Sequence, residues 1–130
     1  MSELRHNEYV VLLDQIAELQ RKKLALEKEK EKLYDRIRPI HAKLVLEIGT
    51  TKDEKGKLVY SNEQLREAAL TLKLDEHEEF RELSEKRRAI SHEVSEIVIE
   101  YNRLVEQKYL LMVEMGIPLE SEQEKYLDVH

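Results

Sequence analysis

From Tyr9 onward, apolar residues return at alternating steps of three and four: Tyr9, Leu12, Ile16, Leu19, Leu26, Leu33, Ile37, Ile40 and Leu44, with Lys23 and Lys30 filling the two remaining places on the stripe. Such spacing holds one seam in register over five heptads, and leucine or isoleucine occupies each d position from Leu12 to Ile40. A helix over about residues 4–48 follows. Pro39 lies inside it, removing one backbone hydrogen bond and biasing Arg38 away from helical angles. Because Ile37, Ile40 and Leu44 stay in phase across it, a kink is expected rather than a break. Gly49 is the expected stop.

The rhythm resumes at Phe80 and runs without a slip through Leu83, Arg87, Ile90, Val94, Ile97, Tyr101, Leu104, Lys108 and Leu111 to Met115. It predicts a helix over about 76–115, ended by Gly116 and Pro118. Between the two long segments come a polar connector, Thr50 to Lys57, and a short helix over about 62–73. Ser61 and Gln64 have the spacing of a capping box, and Tyr60 with Leu65 that of a hydrophobic staple. Asp75 with Glu78 reads as the cap of the last long helix. Beyond it lies an acidic tail, 117–130, in which Ser121 and Glu124 have the spacing to cap one short turn ending near Leu127.

The expected fold is therefore all-α: one domain, 1–130, forming a long antiparallel helical hairpin of coiled-coil type with a short connecting helix, dimerising into a helical bundle. Folding the two seams onto each other pairs Tyr9 with Met115 and Leu44 with Phe80. In that register Lys23 faces Tyr101, Lys30 faces Val94, Arg87 faces Ile37 and Lys108 faces Ile16. No two seam cations meet, which matters because unpaired like charges in a seam are costly and long cationic side chains can snorkel out of one.

Composition agrees with this pattern. Of 130 residues, 38% are charged and 5% aromatic, with three glycines and two prolines. An ordinary domain spends about 7% on glycine and 5% on proline because it turns often; this chain seldom does. The absence of cysteine excludes disulfides, thiol catalysis and thiolate-bound metal. No run approaches the roughly 18 apolar residues that span a bilayer, and the start MSELRHNEYV lacks a secretory pattern. The expectation is a cytoplasmic protein with no membrane partner.

Two surfaces suggest partners. A two-helix hairpin buries one narrow stripe per helix, so apolar residues beside the seam are informative. They gather at the open end, where residues 9–13 and 109–113 are apolar all round. The expected contact residues for a second copy or a protein partner are Tyr9, Val10, Leu13 and Ala17 on the first helix and Val98, Val105, Tyr109 and Met112 on the second. The alternative is that the tail, with Tyr126, Leu127 and Val129, folds over this end. The other surface is basic: from Arg21 to Lys43 there are nine Lys or Arg against four acids. Arg21, Lys22, Lys28, Lys32 and Arg36 are the candidate nucleic-acid contacts in an alternative reading, although the net charge of −6 opposes it and alternating Glu and Lys is also how a solvated helix face looks.

Catalytic patterns are missing. His6, His41, His77, His92 and His130 form no ligand spacing for a metal, and there is no phosphate-binding glycine loop or nucleophile elbow. Neither enzyme activity nor a cofactor is expected. Asp53 and Glu54, on the connector, resemble the acidic tip of transcription-cleavage factors of the Gre type, but the globular domain of those factors is missing and a solvated turn is expected. Prefoldin-like hairpins carry β-hairpins between their helices, for which Thr50 to Tyr60 is too short. The stretch KGKLVYSNEQLR from Lys55, followed by LKLDEHEEFREL as far as Leu83, resembles segments of small helical coiled-coil proteins of bacteria and their phages. That resemblance implies a helical protein and no particular activity. The working expectation is a non-enzymatic oligomeric adaptor that binds another protein.

Overall fold

The computed structural model describes residues 3–118. The turn expected between Ser121 and Leu127, and the apolar tail residues Tyr126, Leu127 and Val129, lie outside them. Three helices make up the described chain: α1, Glu3–Thr50; α2, Glu63–Glu76; and α3, Glu78–Met115. Among the described residues there is no strand, only one isolated antiparallel bridge, Lys52 to Leu58.

Every seam position has less than full exposure. All eleven on α1, Tyr9 to Leu44, and all eleven on α3, Phe80 to Met115, are buried or half-buried. The helix α1 passes through Pro39 and Gly49 and ends at Thr50. Gly49 keeps a negative φ, and in the last turn Thr50 Oγ1 donates to the Leu46 carbonyl (2.7 Å) and Thr51 Oγ1 to the Glu47 carbonyl (2.5 Å), the i to i−4 back-bonds that threonine makes to its own helix.

The starts of the later helices each differ by a residue or more from expectation. Asn62, not Ser61, caps α2, its side-chain oxygen accepting from the Leu65 N–H at 2.9 Å. Asn is as good a cap as Ser, so the choice falls on whichever residue the connector leaves extended. The helix then runs past Asp75 to Glu76, and His77 takes the role expected of Asp75. With φ −82 and ψ 107, His77 closes α2 by donating its N–H to the Leu74 carbonyl and opens α3 by accepting the Phe80 N–H on Nδ1 at 3.1 Å. At the far end Gly116, φ +72, forms a Schellman turn: its N–H bonds the Val113 carbonyl and the Ile117 N–H bonds the Met112 carbonyl.

The chain divides into two compact units. In one, residues 3–28 of α1 pack with the chain from residue 90. Its core is Ile16, Tyr101, Leu104 and Val105, with Leu12, Leu19 and Tyr109 against it. Gln20 donates to the Tyr101 hydroxyl at 3.2 Å, and Arg5 pairs with Glu114 at 2.8 Å. Partner numbers on α3 thus fall as those on α1 rise.

The other unit, residues 29–89, buries Ile37, Leu44, Ile48, Ala69 and Leu83. Arg36 lies 3.6 Å from Glu79, and Lys73 lies 4.0 Å from Glu47. Its connector is a tight loop organised by Asp53, whose Oδ1 accepts the N–H groups of Lys55 (2.8 Å) and Lys57 (3.0 Å), while Gly56 takes φ +78. The Asp53 carboxylate is engaged in its own turn, as an Asx motif.

Candidate interaction surface

In the first unit the two helices are buried unequally. The helix α1 offers one fully buried residue, Ile16, whereas α3 buries its seam and a second stripe beside it: Val98, and Val105 at 0% exposure. Four of the expected contact residues, Tyr9, Ala17, Tyr109 and Met112, are half-buried, and Val10 and Leu13 are exposed. Val98 and Val105 belong to the interior of the single chain, and side chains so placed have no surface left to offer a partner. The expectation that they form the contact is corrected on that ground.

Other apolar residues of this unit are more open than these, Leu24 at 54% and Ile99 at 58% among them. Leu4 is 67% exposed, Val11 52%, Leu110 63% and Val113 61%. Leu4 and Val11 are one heptad apart and so share a face of α1; Leu110 and Val113, three apart, are neighbours on α3. Two recesses lie among them. One, about 410 Å³, is lined by Leu4, Asn7, Glu8, Val11, Leu12 and Gln107. The other, about 210 Å³, shares Glu8, Leu12 and Gln107 with it and adds Arg5, Leu110, Leu111 and Glu114. Three shared lining residues make them neighbours on one surface. Leu110 and Val113 were legible as part of an apolar run, but seam spacing alone did not say that α3 would bury its Val105 side and leave its Leu110 side open.

Charged residues line the smaller recess: Arg5, Glu8 and Glu114. Arg5 bridges Glu8 (3.5 Å) and Glu114 (2.8 Å) at its rim. Lys108, on the seam beneath, is 3% exposed, with its Nζ 5.2 Å from the centre of the Tyr109 ring, and burial holds its pKa below the ordinary 10.5. A lysine in that state lacks the water that normally stabilises its charge.

Of the candidate nucleic-acid residues, Arg21, Lys22 and Lys28 belong to the first unit and Lys32 and Arg36 to the second; all five are exposed. Arg21 is engaged by Glu18, at 2.8 Å, and that hydrogen bond, with the guanidinium charge beside it, holds the Glu18 carboxyl below its usual pKa. Arg36 has Glu79 nearby.

The second unit also has open apolar residues, among them Leu46, Leu58, Leu65 and Leu72, and a smaller recess of about 190 Å³ lined by Val45, Ile48, Glu63, Arg66, Glu67 and Leu70. Half of that lining is charged, and the recess is close in volume to the smaller of the two on the first unit. No helix among the described residues is long and apolar enough to cross a membrane, and no group of three or more His, Asp or Glu there is placed to hold a metal ion. Comparison of the chain with protein-family models, with curated proteins and with solved structures finds no match.

Proposed function

We propose that this chain is a non-enzymatic interaction protein: an antiparallel coiled-coil hairpin that self-associates and, as an oligomer, serves as an adaptor for another protein. The observation that carries the reading is that Leu4, Val11, Leu110 and Val113, each more than half exposed, lie on one unit that also holds two adjoining recesses, with Leu4 and Val11 lining one and Leu110 the other. Single exposed leucines are ordinary on a protein surface, but a contiguous apolar patch with a polar rim marks a place where another macromolecule packs. The falling order of α3 partners along α1, Arg5 with Glu114 and then Gln20 with Tyr101, supports the hairpin.

Association of folded chains stabilises them by mass action, so the melting temperature of an oligomer rises with protein concentration. Thermal unfolding followed by circular dichroism over a hundredfold range of concentration tests the proposal. A midpoint that climbs with concentration is expected; one that stays fixed over the whole range would overturn self-association.

A further inference from the structure

Resting on that reading, we infer that the occupant of the groove is a second copy of this chain, docked about a two-fold axis so that the Leu110 and Val113 ridge of each copy fills the groove beside Leu4 and Val11 of the other. Ridge and groove sit side by side on one surface, because the two recesses share Glu8, Leu12 and Gln107 and Leu110 lines the second of them. A surface that carries a projection next to a matching hollow is self-complementary. A two-fold rotation between them seats both ridges at once, and this is the commonest symmetry of soluble oligomers.

The sizes agree. A closed apolar cavity of about 150 Å³ holds a benzene-sized group, so a groove of about 410 Å³ has room for the two branched side chains that the ridge supplies. Leu110 and Val113 are spaced i, i+3, the spacing with which a helix presents anchors to a groove. The rim carries both signs, Arg5 against Glu8 and Glu114, so a two-fold operation can bring Arg5 of one copy toward a carboxylate of the other instead of stacking like charges.

The chain has no cysteine, so introduced thiols report geometry without interference. Two full-length variants, Val11→Cys and Leu110→Cys, are mixed in equal amounts and oxidised with copper phenanthroline, and the products are resolved on a non-reducing gel and by mass spectrometry. Leu4→Cys with Leu110→Cys serves as a second pair, and Leu13→Cys alone probes the other exposed face. All positions are solvent-exposed, and circular dichroism of each variant before oxidation confirms the helix content. The expected result is a mixed link between positions 11 and 110, and between 4 and 110, at least fivefold above the links within either variant alone. Oligomeric chains that link chiefly through Leu13→Cys, or through none of these positions, would overturn the two-fold arrangement while leaving self-association standing. A concentration-independent melting temperature for the unmodified chain would remove both.

Discussion

Arg87 and Lys108 stand on the same seam of α3, three heptads apart and in different units, and the two cations meet different surroundings. Arg87 is half-buried, with its guanidinium 4.9 Å above the exposed ring of Tyr34; its Nε is buried and has no hydrogen-bond partner. Lys108 is almost wholly buried, and its pKa is lowered by desolvation. The seam pattern is identical at both places. What differs is the flank: three residues before Arg87 stands Ser84, and three before Lys108 stands Val105, with Met112 beyond it. A polar flank leaves the seam one stripe wide and its cation reachable by water. An apolar flank widens the buried face to two stripes and closes over the cation. Depth in a helical pair is thus set by the residues beside the heptad positions more than by the heptad positions themselves.

If that comparison holds, truncation inside the two-stripe core should have the largest effect. Leu104→Ala, at the centre of the Ile16, Tyr101 and Val105 cluster, is expected to lower stability by about 2–5 kcal/mol in denaturant unfolding. The same change at exposed Leu72, in the other unit, should stay within about 0.5 kcal/mol. Equal losses would erase the distinction between the units.

Exchanging the two cations for methionine sharpens the contrast. In the folded chain the Lys108 pKa lies below 10.5, its ordinary value in the unfolded chain, so the unfolded state binds the extra proton between those two values. Stability therefore rises with pH through that window, and the cost of burying the charge is fully present below it. Relative to the parent, Lys108→Met should therefore lose stability as the pH rises toward 10.5. Arg87→Met should change stability by less than about 1 kcal/mol, because losing the contact with Tyr34 is offset by removing an unsatisfied Nε. A difference between parent and Lys108→Met that does not change with pH would contradict the account.

A smaller effect is expected where the second unit begins its short helix. Asn62→Ala removes the oxygen that accepts the Leu65 N–H and should cost about 1 kcal/mol, with Asn62→Asp close to neutral. A full loss in both variants would mean that the connector, not the cap, sets this start.

The helices and their seams were legible because a 3-4 repeat over five heptads is periodic information, and every seam position proved buried or half-buried. Local ends were less so. Ser61 and Asn62 are equally good caps, and nothing in their types says which one the Asp53 turn leaves extended. His77 carries no cap signal in its residue type, although its Nδ1 is an adequate acceptor for a helix start. The open apolar surface was half legible: Val11, Leu110 and Val113 belong to the all-apolar runs 9–13 and 109–113, but a run that is apolar all round carries no phase. Its inner and outer sides separate only once Val105 is seen at the bottom of a core and Leu110 on the rim of a groove.

Sedimentation equilibrium of the full chain, beside Leu110→Glu and Leu72→Glu, tests self-association through the first unit most directly. The parent and Leu72→Glu should sediment at twice 15.5 kDa, and Leu110→Glu, altered only at an exposed side chain, should return to the single-chain mass. A parent chain that stays at 15.5 kDa up to the highest concentration reached would contradict the claim.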